Sequence, residues 1–128
     1  SVPVIGYNTN FFPGFFCTNS GFLVPYRVNT PDEAATLINL QNLLGGGLVI
    51  ANPPPADSAL DLNSVNKWIA QALDESRKAN IIGKDLTPFL LSRLNELSDG
   101  KTLKTNQDLI VQNATLAANI AVSLSKIS

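Results

Sequence analysis

Two asparagines near the end of the chain are the most informative candidates for binding chemistry. Asn106 and Asn113 interrupt an apolar series whose spacing of three or four residues is that of one helical face. The series consists of Leu103, Asn106, Ile110, Asn113, Ala117, Ala121 and Leu124. A buried amide without a partner costs about 1–3 kcal/mol, so each must form hydrogen bonds. The partner is either a neighbouring loop, which is a structural role, or a polar ligand such as a nucleobase edge.

The chain offers few other groups for catalysis. It has no histidine, which is the commonest general base and the commonest metal ligand. One cysteine, Cys17, lacks a histidine partner and makes neither an internal disulfide nor a zinc site. Asp57 and Asp61 lie four residues apart with no third carboxylate nearby. We therefore expect no catalytic set of residues and no metal site within this chain.

Gly45-Gly46-Gly47 could be mistaken for a phosphate-binding loop. Such a loop follows a strand and opens a helix, so that free backbone N–H groups and the helix dipole face the anion. Here the order is reversed, because the glycines follow a helical pattern ending at Leu44 and precede the apolar run 48–51. We favour a helix stop and a sharp turn into a buried strand.

Three charged residues are weaker candidates for anion binding. Lys84 and Asp85 lie in a turn before a predicted helix start at Thr87, where free N–H groups could meet an anion. Arg27 could contact a phosphate. The simpler expectations are solvated turn residues at 84–85 and an ion pair between Arg27 and Asp32.

Composition limits the class of protein. A chain of 128 residues fits one domain. Its charged fraction is 15%, against about 25% in typical domains, so part of the surface is expected to be covered. A net charge of −1 with scattered basic residues gives no sign of nucleic acid or of a membrane surface as a partner. The sequence shows no signal peptide and no membrane-length apolar segment, and its cysteine content fits a reduced, cytoplasmic setting.

The hydrophobic pattern predicts an α/β order of elements. Strands are expected at 2–7 and 48–51, with an extended segment at 22–28. The first helix is capped by Thr30 and runs to Leu44; three more begin near Asn63 or Ser64, at Thr87-Pro88, and after Thr102. Two or three strands cannot form a finished sheet covered on both faces. We therefore expect a segment upstream of Ser1 to complete the sheet.

Five long stretches of the sequence resemble one known family. In order they are VPVIGYNTNFFPGFF, SGFLVPYRVNTPDEAA, GGGLVIANPPP, GKDLTPFLLSRL and NQDLIVQNATLAANIA. Together they resemble the C-terminal portion of the pseudouridine-5′-phosphate glycosidase family, also called the indigoidine synthase A family. The resemblance covers essentially the whole chain, so residues 1–128 are expected to be the C-terminal portion of a single α/β glycosidase domain.

The resemblance implies an enzyme that reversibly splits the C–C glycosidic bond of pseudouridine 5′-phosphate, giving uracil and ribose 5-phosphate. Family members are homotrimers with an α/β/α fold, and they use a Schiff-base lysine, an acidic proton donor and a manganese ion near the phosphate. By this similarity, the lysine, the acid and the metal-binding aspartate lie upstream of Ser1. No lysine of this chain matches the catalytic one: Lys67, Lys78, Lys84, Lys101, Lys104 and Lys126.

The resemblance also implies a role for one asparagine of the last helix. The family residue thought to meet uracil falls at Asn113, with Asn106 as the alternative. Two departures are visible: Asn10 and Phe11 replace a usual acidic pair, and Gln112 stands where the family often has a second asparagine. The expected partners are a small nucleotide substrate and an upstream segment or second chain of the same enzyme. The alternative function is a non-catalytic α/β interaction module on the same scaffold.

Overall fold

The computed structural model describes residues 2–127 and confirms the α/β class. These residues form three short strands and four α-helices. The strands are β1 (Val4–Tyr7), β2 (Tyr26–Val28) and β3 (Val49–Ala51). The helices are α1 (Pro31–Leu44), α2 (Leu62–Lys78), α3 (Leu86–Leu97) and α4 (Lys101–Ile127). A 3₁₀ turn, Gly83–Asp85, leads directly into α3.

The three strands form one parallel sheet with β1 at its centre. The order is β2-β1-β3, with Ile5 of β1 opposite Tyr26 of β2 and Ile50 of β3. β2 and β3 lie on opposite sides of β1, and α1 forms the long crossover that connects them in parallel orientation. The carboxyl ends of β1 and β3 therefore meet at the same edge of the sheet, which is where open α/β sheets bind ligands.

Helices α1 and α4 cover one face of the sheet. The main core cluster joins Ile5, Val28, Ala34 and Ile120. Because side chains alternate along a strand, Val49 points away from the face that Ile50 turns toward these helices. Val49 remains 49% exposed, so the opposite face of β3 is open in this chain. An upstream segment that completes the sheet remains a prediction.

A second core cluster lies between the long first loop and the pair α2 and α3. It joins Phe16, Cys17, Val65 and Leu94. Burial, and to a lesser extent the nearby charge of Asp61, raises the pKa of the Cys17 thiol. The thiol therefore stays protonated at neutral pH and packs as a small apolar side chain.

The helices α2, α3 and α4 begin one or two residues earlier than the sequence predicted. Asp61 caps α2 by accepting the Ser64 backbone N–H at 3.0 Å, so α2 begins at Leu62 rather than Asn63 or Ser64. Thr102 does not cap α4. It lies in the first turn, and the Ser98 hydroxyl accepts its backbone N–H at 3.1 Å.

The buried face of α4 was predicted one residue away from its true position. Asp108, and Asn106 and Leu124 of the predicted series, are half-buried, but the stripe that holds every fully buried residue of α4 consists of Thr102, Thr105, Leu109, Gln112, Leu116, Ile120 and Ser123. Each precedes a member of the predicted series by one, which corresponds to a rotation of about 100° about the helix. The prediction was wrong because it rested on hydropathy, which favours the more apolar series. Threonine and serine can be buried when their hydroxyls form hydrogen bonds with carbonyl groups.

Thr105 shows why a polar residue occupies this interface. The residue is 1% exposed, and its single hydroxyl proton is shared between the carbonyl oxygens of Ser58 and of Lys101, both within hydrogen-bond distance. We expect Thr105→Val, which keeps the shape, to lower the free energy of unfolding by about 1–3 kcal/mol because the Ser58 carbonyl loses its partner. Urea unfolding measures this. The matched control is Thr115→Val on the exposed side of α4, where the effect should stay within about 0.5 kcal/mol.

Gly6 is required in β1 because the chain passes close to its α-carbon. A Cβ at Gly6 would lie 2.5 Å from the Thr9 carbonyl oxygen and 2.8 Å from Cγ2 of Val24. The Thr9 atom belongs to the backbone, so it moves only with the turn. We expect Gly6→Ala to destabilise the fold by about 1–3 kcal/mol. Gly47→Ala, which would meet no atom within 4 Å, is the control in the same urea titration; equal losses in both variants would contradict the explanation.

Candidate functional site

An open groove lies between α4, the end of α1 and β3. Its volume is about 660 Å³. Its apolar walls come from both helices and from β3, and they include Ile38, Ile50, Leu116, Ile120 and Leu124. Members of the predicted α4 series, among them Asn113, Ala117 and Ala121, line this groove rather than the core.

The glycine run ends α1 and continues into the groove, and the helix-stop interpretation is confirmed. The Gly45 N–H donates to the Gln41 carbonyl at 2.9 Å and ends α1, and Gly45 and Gly46 have φ values of 85° and 84°. Such values favour glycine. Gly46 and Gly47 line the groove. Because they follow a helix C-terminus, the local helix dipole presents negative charge, which disfavours a phosphate.

The polar side chains among the described residues that line the groove are all carboxamides. They belong to Gln41, Asn42, Asn52 and Asn113, and no charged side chain lines the groove within residues 2–127. Apolar walls with a few fixed hydrogen-bonding groups suit a small, uncharged, polar ring. The groove offers no cation to a phosphate.

Asn113 is held by a residue that the sequence interpretation did not single out. Asn52 follows β3 directly, at the carboxyl edge of the sheet. Its Nδ2 donates to Oδ1 of Asn113 at 2.9 Å. Gln112 supports the pair, since its Nε2 donates to the Pro53 carbonyl at 3.0 Å and lies 3.5 Å from Oδ1 of Asn52. An asparagine between a strand and a proline run was the available signal for this contact.

Asn106 lies at a different place from Asn113. The two are seven residues apart on α4, which is about 10 Å along the helix axis. Asn106 lines a smaller cavity of about 230 Å³ between α3 and α4, together with Phe16 and Asn95. Oδ1 of Asn95 is buried there without a hydrogen-bond partner in the described chain. The two candidate asparagines therefore lie in different cavities, and only Asn113 lines the groove.

The charged candidates do not join the groove. Arg27 was expected to pair with Asp32, and that expectation is wrong: its guanidinium donates to Asn29 at 2.7 Å and to Asn10 at 3.2 Å. The side-chain oxygens of Asn29 and Asn10 lie within hydrogen-bond distance of the guanidinium, so they accept its N–H groups in place of Asp32. Lys84 is exposed in the 3₁₀ turn. Across residues 2–127, no three His, Cys, Asp or Glu side chains group as metal ligands.

Comparison with known families identifies the family of this chain. The family described as "Indigoidine synthase A like protein" matches residues 1–123. The chain belongs to this family. That membership confirms the resemblance drawn from the sequence.

Curated relatives share the chain's sequence over nearly its whole length. Pseudouridine-5′-phosphate glycosidase of Petrotoga mobilis is 48% identical over 99% of this chain. The protein of that name from Symbiobacterium thermophilum is 44% identical over 96% of it. The match covers 42% and 41% of these relatives, so the chain spans about two-fifths of their length.

Two solved structures share the fold. A prealnumycin C-glycosynthase in complex with ribulose 5-phosphate superposes with a TM-score of 0.87 and 27% identity, over 98% of this chain and 42% of that one. An indigoidine synthase A-like protein of Thermotoga maritima gives a TM-score of 0.84 and 31% identity, over 96% and 41%. Within residues 2–127, no helix is both long and apolar enough to cross a membrane.

Proposed function

We propose that this chain is the C-terminal part of a pseudouridine-5′-phosphate glycosidase, which reversibly cleaves pseudouridine 5′-phosphate into uracil and ribose 5-phosphate. The observation that carries the proposal is the uncharged groove in which the Asn113 amide is held by Asn52 at the carboxyl edge of the sheet. The name of the Petrotoga mobilis relative, at 48% identity, supports the same reaction. A C-glycosynthase of the same fold supports chemistry at a C–C glycosidic bond.

In this proposal the chain holds the base rather than the sugar phosphate. The apolar walls around Leu116 and Ile50 pack against the ring, and the Asn113 amide forms a hydrogen bond with a polar edge of uracil. Because none of the residues 2–127 brings a cation to the groove, the phosphate extends out of it toward the rest of the enzyme. The groove thereby orients the base for bond cleavage at its far side.

The remaining chemistry is assigned to an upstream part of the protein. A Schiff-base lysine, an acidic proton donor and the ligands for a manganese ion near the phosphate are proposed to lie there. A bound manganese ion would neutralise phosphate charge. The carboxylates of this chain do not fit that metal, since none cluster within residues 2–127, and no step is assigned to it here. We further propose a homotrimer that acts in the cytoplasm.

The test is uracil release by the full-length protein. With pseudouridine 5′-phosphate as substrate, uracil and ribose 5-phosphate should form in equal amounts, and the two products should regenerate the nucleotide. Uridine 5′-phosphate is the control substrate, because it has the same formula but a C–N bond. A folded, full-length protein that releases no uracil from the C–C nucleotide would overturn the proposal.

The second candidate function is a non-catalytic interaction module on the same scaffold. Large apolar side chains at the end of α1 favour it, since Leu43 and Leu44 are 79% and 83% exposed. Large exposed apolar side chains indicate a surface that a partner covers. The rest of a larger enzyme could be that partner as well as a separate protein. The same assay distinguishes the two, because a module would be folded, would bind a partner and would leave the nucleotide intact.

A further inference from the structure

The hydrogen bonds around Asn113 run in one direction, and a backbone carbonyl sets that direction. The Pro53 carbonyl can only accept, so the Gln112 atom 3.0 Å away must be the nitrogen Nε2. The same nitrogen lies 3.5 Å from Asn52, which turns Oδ1 of Asn52 toward Gln112. Nδ2 of Asn52 must then face Asn113, and it donates to Oδ1 there at 2.9 Å.

This direction determines what Asn113 offers to a ligand. Its Oδ1 already accepts a hydrogen bond from Asn52. Its Nδ2 forms no hydrogen bond with any described residue, and Asn113 lines the groove. A carboxamide that could present either end is therefore fixed with its N–H₂ donors available, and a donor suits a ring carbonyl oxygen rather than a ring amine.

We infer that Asn52 is a positioning residue that makes Asn113 specific for a pyrimidine carbonyl. The inference rests on the proposed function, since it assumes that Asn113 meets the base. Asn52 acts through Asn113 and need not touch the base. Gln112, in turn, fixes the orientation of Asn52.

Reversal of the hydrogen-bond direction is the sharpest test. In Asn52→Asp, a carboxylate of the same shape can still accept from Gln112, but it cannot donate to Asn113. Asn113 must then turn its own Nδ2 toward residue 52, and its Oδ1 becomes the atom offered to the ligand. The site should change from favouring a carbonyl to tolerating an amine. Asn52→Leu removes the hydrogen bond to Asn113 without reversing its direction. The preference of this variant for a carbonyl over an amine should lie between those of the unmodified protein and Asn52→Asp.

The readout is competitive inhibition of pseudouridine 5′-phosphate cleavage by three free bases in the full-length protein. Uracil carries two carbonyl groups, and cytosine and isocytosine each replace a different one with an amine. The unmodified protein should bind uracil more tightly than either analogue. In Asn52→Asp, the ratio of inhibition constants, analogue over uracil, should fall at least about tenfold for one analogue, or about 1.4 kcal/mol. The melting temperature should not change.

Two comparisons separate failure of this inference from failure of the proposed function. Asn113→Ala should raise the inhibition constant of uracil. If it does, while Asn52→Asp leaves the ratio unchanged, the positioning role of Asn52 is wrong and the proposed function stands. If Asn113→Ala leaves uracil binding unchanged, then the base does not meet Asn113, and both the proposed site and the positioning role are overturned.

Discussion

The 128-residue chain by itself is expected to release no uracil from pseudouridine 5′-phosphate at any enzyme concentration. A lysine that forms a Schiff base must be deprotonated, which requires burial or a neighbouring cation. All six lysines of the chain are exposed, and none lines the groove. The hydrogen bond that Lys78 donates to Asp74 raises its pKa, and Lys104 donates to Asp108 at 2.6 Å. None is prepared to act as a nucleophile.

The measurement compares the chain with the full-length protein at equal molar concentration. Uracil is quantified by chromatography over a reaction time in which the full-length protein consumes all of the substrate. The expected rate for the chain equals that of a blank without protein. Uracil release above the blank would show that a nucleophile lies within these residues, and the assignment of the lysine to an upstream segment would then be wrong.

Features governed by local rules could be predicted from the sequence. The cap of α1 is one: the Thr30 side chain accepts the Glu33 backbone N–H at 3.1 Å, and Pro31 begins the helix. The stop at Gly45 is another, because a positive φ after a helix favours glycine. Both depend on a few adjacent residues, so spacing and residue type were sufficient.

Features that depend on distant partners could not be predicted from periodicity. The buried side of α4 depends on a carbonyl group far away in the sequence. Thr105 can be buried because its hydroxyl donates to the carbonyl oxygen of Ser58, 47 residues away. Hydropathy alone chose the next series along the helix. The pair of Asn52 and Asn113 joins residues 61 apart, and only the packing of α4 beside β3 brings them together. The sequence therefore indicated Asn113 as a binding residue, but it did not indicate that Asn52 and Gln112 support it.

Replacement of Asn113 by alanine should reduce kcat/KM for pseudouridine 5′-phosphate roughly tenfold or more in the full-length protein. A neutral hydrogen bond contributes about 0.5–1.5 kcal/mol, and more when its partner is left unsatisfied in a covered site. Each 1.4 kcal/mol corresponds to a factor of ten. Here the change removes the proposed bond to the base.

The matched control for this prediction is Asn106→Ala on the same helix. Asn106 lies in the smaller cavity with Asn95, so its loss should act on stability and leave kcat/KM nearly unchanged. Asn113 is exposed in this chain, so its replacement should shift the unfolding free energy by no more than about 0.5 kcal/mol. Steady-state kinetics and thermal melting of both variants distinguish the two roles. Full activity in Asn113→Ala, or a loss that follows unfolding alone, would leave Asn113 with a structural role and remove the base from this groove.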